Sequence, residues 1–235
     1  MFDPQIDVSW TAGLLWLAGT AVAGFLVSWV LSDLRPTKRV FYIPVLALVT
    51  GTLMAGYLSW SEAGMGFWTN RWGYGLVGAV IAGGLLTALL SRRPVHGQPN
   101  AITVGTLGWD GLVYGAAEGS LLSVLPVVIT WQMLSSNGWD GGWRSVAAGA
   151  AAIVASVVVI VIHHLGYPDF RGAKMGQAIL GCGILSIAYL LTASVIAPIV
   201  AHGVLHVVIV RKGMELPPHE ETHEADMSDI IRAAA

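Results

Sequence analysis

The chain has 235 residues, 55% of them hydrophobic and only 11% charged, with a formal net charge of -2 and a mean hydropathy of +0.68. A soluble domain carries roughly 25% charged residues, so a chain with less than half that share could not cover itself with polar groups in water. Composition excludes a soluble enzyme, the lack of a basic cluster excludes a nucleic-acid partner, and the single cysteine, Cys182, excludes an intrachain disulfide framework or a thiolate metal cage. The expected class is an all-α polytopic transmembrane helix bundle, integral to the cell membrane, with the lipid bilayer as its solvent.

A hydrocarbon core about 30 Å thick needs about 20 apolar residues per helix. Taken in chain order, the apolar runs predict spans near 10–31, 41–60, 72–90, 107–134 and 146–165, none of which holds Lys or Arg between its ends. The next apolar stretch, 176 to 210, is too long for one span and is broken near Thr192, Ser194 and Pro198, so it predicts two short helices, 176–192 and 196–210. The reading is therefore one integral membrane domain over 1–210, of about seven spans, followed by a polar cytoplasmic tail over 211–235. That tail contains His219-Glu220-Glu221-Thr222-His223-Glu224, a solvated segment with nothing apolar around it to fold against.

The positive charges orient the bundle. Loop by loop they run none, three (Arg35, Lys38, Arg39), one (Arg71), two (Arg92, Arg93), one (Arg144), two (Arg171, Lys174), none, and then Arg211 and Lys212. Cytoplasmic loops carry the Lys/Arg excess, which places the amino terminus outside, the carboxyl terminus inside and makes the number of crossings odd. Seven of the tryptophans agree: Trp10, Trp60, Trp68, Trp72, Trp131, Trp139 and Trp143 fall at or beyond the outer ends of spans, as expected of an interfacial aromatic belt. The loops Glu62 to Arg71 and Ser135 to Arg144 have room for short interfacial segments.

With cations confined to loops and ends, the ionisable groups inside spans stand out. Glu118 lies about midway along the fourth span, where a bare carboxylate costs several kcal/mol and so needs protonation, a partner or a wet cavity. Asp110, Tyr114 and Glu118 recur every four residues and form one polar stripe from the cytoplasmic end, and Gly115 and Gly119 let another helix approach beside the carboxyl group. Four histidines join it: His163 and His164 near the inner end of the fifth span, of which one faces the bundle and the other the interface, and His202 and His206 on one face of the last helix. All of these can meet in the inner half of the membrane.

One carboxylic acid with two or three imidazoles in a sheltered pocket suits three chemistries. The first is hydrolysis, with the Glu as general base and imidazoles holding the oxyanion. The second is a zinc site drawn from His202, His206, His163 and Glu118, although the segment His202 to His206 lacks the Glu that a zincin helix carries after its first His. The third is a haem between two His ligands. A retinal Schiff base is disfavoured, because Lys38, Lys174 and Lys212 all lie in loops or at ends. A transporter built on the short Gly-rich and Pro-interrupted helices and a non-catalytic scaffold remain as alternatives.

The segment Thr192-Ala193-Ser194-Val195-Ile196-Ala197-Pro198-Ile199-Val200-Ala201-His202, with Glu118 in Ala117-Glu118-Gly119 and the pair His163 and His164, resembles the CAAX-protease and bacteriocin-processing family of intramembrane endopeptidases over about Asp110 to Val210. The family motifs differ at three points: Glu118 is a single acid with Ser123 where an Arg would fall, Val159 and Ile160 stand where a Phe precedes the His, and His206 replaces a terminal Asn or Asp. The resemblance implies catalytic roles for Glu118, His163 or His164, His202 and His206. Glu118 would activate water, His163 or His164 would handle protons, and His202 with His206 would hold the oxyanion. It implies a membrane-associated peptide or protein substrate cut near the cytoplasmic side, and no cofactor.

Overall fold

The computed structural model describes residues 7–34, 39–64, 66–92 and 103–212; the tail histidines His219 and His223 lie outside them. Among the described residues every regular element is helical, as a bilayer requires of a chain that must satisfy its backbone polar groups internally. Helix α1 spans Trp10–Ser28 and runs on through a widened π turn, Trp29–Leu34. It is followed by α2 (Arg39–Trp60), the short α3 (Gly66–Thr69) and α4 (Trp72–Ser91). A long central helix, Leu107–Ser136, comes next. It alternates π-helical turns (Thr106–Tyr114 and Ser120–Val124) with α5 (Gly115–Gly119) and α6 (Leu125–Ser136). Helices α7 (Gly142–Leu165), α8 (Lys174–Thr192) and α9 (Ile196–Arg211) complete the bundle.

Six of these helices are long and apolar enough to cross a membrane, and α9 is a shorter apolar seventh. The protein is thus a polytopic helical membrane protein. Its outer faces are those of an inside-out solvent problem: Leu15, Leu48, Val80, Val154 and Leu191 project from different spans and are all well exposed, because lipid tails are as apolar as the core. Trp10, Trp60, Trp68, Trp72 and Trp143 are exposed as well. Trp131 departs from the aromatic belt: it is half-buried and packs against the core, near Gly149 of α7.

Local chemistry sets the breaks and close approaches. Ser9 caps α1 by accepting from the Ala12 amide at 3.3 Å. The α8–α9 break is made by Ala193, which adopts φ 52° while its amide donates to Tyr189 O at 2.8 Å, and Pro198 follows in the first turn of α9. Pro126 cannot donate to the carbonyl of Leu122 four residues back, and that carbonyl instead accepts the Ser156 hydroxyl of α7 at 2.6 Å. Ser156 Oγ also lies 2.6 Å from Ser186 Oγ of α8, so a proline in the central helix becomes a polar tie to two neighbours.

Helix α9 meets the central helix where both lack side chains. A Cβ placed on Gly115 would sit 2.5 Å from the Gly203 Cα, and one on Gly119 would sit 3.3 Å from His202 Cβ. The glycine spacing expected to admit a neighbouring helix does admit α9, which drives His202 and His206 into the middle of the bundle.

Candidate functional site

Glu118 sits in the one α-helical turn between the two π segments of the central helix. Such segments shift side chains off the regular α register and are frequent at functional sites. The residue is 4% exposed, and its carboxyl group is surrounded by imidazoles from α7 and α9. Oε2 lies 2.9 Å from His206 Nε2 and 3.2 Å from His202 Nε2, and Oε1 lies 3.5 Å from His163 Nε2. His202 and His206 follow the i, i+4 rule closely enough to stack, with ring centroids 4.8 Å apart and planes 6° from parallel. Four of the five residues singled out in the sequence therefore converge.

The fifth, His164, does not. Its Nδ1 donates to its own helix at Ile160 O, 2.8 Å away, and its ring packs on Phe170 at 4.8 Å. The expectation that one of the adjacent pair faces the bundle holds for His163, but the expected interfacial position of its neighbour is corrected: His164 is only 5% exposed. The segment after α7 folds back over it, with Tyr167 and Phe170 closing the surface an interfacial ring would have used.

Hydrogen-bond chemistry assigns the protons. His163 Nδ1 lies 2.9 Å from Gly24 O of α1, and a carbonyl only accepts, so Nδ1 carries a proton. This contact exists because position 24 is glycine; a Cβ there would lie 3.3 Å from the same nitrogen. Among the described residues His202 and His206 have no partner at Nδ1, and both point Nε2 at the carboxylate, so Nε2–H donates to Glu118 in both. Both Nε2–H groups thus face the buried carboxylate, and such hydrogen bonds offset part of the several-kcal/mol penalty of an unpartnered buried ion.

A second layer of phenols and one cation surrounds this set, and here the sequence reading missed residues. Tyr167 places its hydroxyl 3.2 Å from His163 Nε2 and hydrogen-bonds with Tyr42 of α2. Tyr167 lies just beyond the end of α7, and burial holds its phenol well above the ordinary value, so it stays a protonated donor. Tyr114 packs its ring 4.4 Å from His206, and the Arg39 guanidinium lies 5.3 Å from the Tyr114 ring centroid while pairing with Asp110 at 2.8 Å. The stripe Asp110, Tyr114, Glu118 is thus occupied along its length, by Arg39 at one end and imidazoles at the other. The i, i+4 spacing of His163 and Tyr167 was a usable signal; the role of Tyr42 was not readable, since nothing local ties α2 to α7.

The metal reading can be tested against this geometry. One donor atom each from Glu118, His202 and His206 lies within 4.8 Å of the others, which is enough ligands for a zinc ion in number. A ligating imidazole commonly donates its outer N–H to an acceptor, and among the described residues the outer nitrogens of His202 and His206 have none. The same three side chains are thus close enough to share one ion, and their distances also suit imidazole N–H groups donating to a carboxylate.

A groove of about 640 Å³ lies beside the cluster, between α2 and the central helix, with Ile199 of α9 at its edge. Ala117 and Ser120 line it, while Glu118 and its imidazoles do not. Comparison with known proteins gives no further guide: no protein-family model, no curated protein and no solved structure matches this chain.

Proposed function

We propose that the protein is an intramembrane hydrolase of the Glu/His type, an endopeptidase of the cell membrane that cuts a membrane-associated peptide near the cytoplasmic side. The observation that supports this reading is the meeting of one buried carboxylate with three imidazoles from two other helices. Water attacks the scissile carbonyl as Glu118 removes its proton, forming a tetrahedral oxyanion. As Glu118 loses its negative charge it releases the Nε2–H groups of His202 and His206, which become free to donate to that oxyanion. Collapse breaks the C–N bond, and the proton held by Glu118, with His163 as relay, passes to the leaving amine. His163 is held in orientation for this by Gly24 O on one nitrogen and Tyr167 near the other.

The test uses the full chain in bilayers with a panel of membrane-anchored fluorogenic peptides in water enriched in oxygen-18. The wild type is expected to release product bearing one heavy oxygen in the new carboxyl group, and Glu118→Gln to release about a thousandfold less while keeping the same helical spectrum and melting curve. Product release undiminished in Glu118→Gln would overturn the reading and leave the cluster a structural device of a membrane scaffold.

A further inference from the structure

The α7 histidine that faces Glu118 has a second neighbour at the same nitrogen. His163 Nδ1 meets Gly24 O and so carries a proton, which makes Nε2 the atom at which the ring gains or loses one. Nε2 lies 3.5 Å from Glu118 Oε1 and 3.2 Å from the Tyr167 hydroxyl. A carboxylate oxygen only accepts, so in the neutral ring it is the Tyr167 O–H that satisfies the Nε2 lone pair. Once Nε2 holds a proton, that O–H would point at an N–H and must turn away. Tyr42 stands where it turns: the two phenol oxygens share a hydrogen bond in which either can be the donor.

Both tyrosines are buried, and a buried O–H without a partner is costly. Phenylalanine would fill the same space, so packing alone calls for neither hydroxyl. The turn that delivers Tyr167 is fixed at the His163 end. Gly166 passes α1 so closely that a Cβ would lie 1.9 Å from Ser28 Oγ, and Ser28 in turn donates to His163 O at 2.7 Å.

We propose that Tyr167 and Tyr42 are positioning residues of this site, a phenol pair whose O–H bonds reverse direction as His163 gains and loses a proton at Nε2. With His163 neutral, Tyr42 donates to Tyr167 and Tyr167 donates to Nε2. When the proton taken from water passes from Glu118 Oε1 to Nε2, Tyr167 turns its O–H to the Tyr42 oxygen. It turns back when that proton leaves for the amine nitrogen. The Tyr42 O–H loses its partner only while His163 is charged, a cost that favours onward delivery of the proton. Both phenols keep their own protons, in keeping with the burial that holds Tyr167 well above its ordinary value. The source of the moving proton rests on the hydrolase reading, whereas the hydrogen bond to Nε2 does not.

The experiment uses the full chain in bilayers, with the same membrane-anchored peptides and with nitrogen-15 in its histidines. Tyr167→Phe is expected to lower kcat about tenfold and to leave KM within about twofold, since the phenol touches His163 and not substrate. Adding Tyr42→Phe to Tyr167→Phe leaves neither hydroxyl orphaned and should lose no more than Tyr167→Phe alone, because the pair acts as a unit. 3-Fluorotyrosine in place of Tyr167, which still donates and accepts, should restore the rate. In the nitrogen spectrum the His163 Nε2 signal, identified by its loss in His163→Asn, should move in Tyr167→Phe toward that of an unbonded lone pair. That measurement needs no substrate, so it decides the role of the phenol even where no peptide is cut. An unmoved Nε2 signal would overturn the proposal, and so would a kcat within about twofold of wild type in Tyr167→Phe, a raised KM at unchanged kcat, or losses that multiply in the double variant.

Discussion

The central helix and its neighbours live in different solvents. Over its most apolar stretch the central helix is 83% buried within the protein, whereas the other five long spans are between 22% and 33% buried. Lipid can solvate leucine but not a carboxylate, so a span that carries Glu118 has to be wrapped by other helices, and those helices must supply the hydrogen bonds. The periphery obeys a looser rule, in which any apolar residue of suitable size will serve.

Breaking that contrast should therefore cost most at its centre. Glu118→Gln is expected to lower hydrolysis by about a thousandfold, near 4 kcal/mol in barrier, because the base is lost while the hydrogen-bonded shape survives. Peptide release in bilayers, alongside a melting curve, checks both halves of that statement. Next comes Gly115→Leu, which forces a side chain into the backbone of Gly203; a loss of about 3 kcal/mol in unfolding free energy is expected, read by titration with denaturing detergent. A stability unchanged within error would mean that α9 does not pack where described.

The two adjacent histidines sharpen the same contrast. His163→Asn should cost about a hundredfold in turnover, and His164→Asn no more than about threefold, since His164 bonds only within its own helix and packs on the following turn. Equal losses would dismantle the distinction between them. The smallest effect belongs to the lipid face: Leu48→Ala and Val80→Ala, on well-exposed positions of α2 and α4, are expected to change stability by less than about 0.5 kcal/mol. A larger change would show that one of these faces is covered by protein.

Much of the site was legible because membranes make polar residues conspicuous. Glu118, His163, His202 and His206 were visible as ionisable groups in apolar runs, and the four-residue spacing of His202 and His206 put both on one helix face. His164 was undecidable from sequence, since adjacent residues on a helix diverge by about 100° and only the fold-back of Tyr167 and Phe170 determines what the second ring meets. Arg39 read as one of three loop cations; its pairing with Asp110 and its place over Tyr114 arise from α2 lying beside the central helix, a contact no local pattern encodes. The π turns on either side of Glu118 also escaped, because apolar periodicity does not distinguish a widened turn from an α turn.

By itself, then, the sequence determined the class, the spans and the short list of groups that could do chemistry, since hydropathy and charge are properties of segments and the bilayer reads them one segment at a time. The tertiary structure alone decided which of those groups touch. Gly24 admits His163, Gly115 and Gly203 admit α9, and Tyr42 reaches Tyr167 across about 125 residues of chain. Such contacts depend on the distance between helices, and that distance is fixed by the fit of small residues on both partners at once.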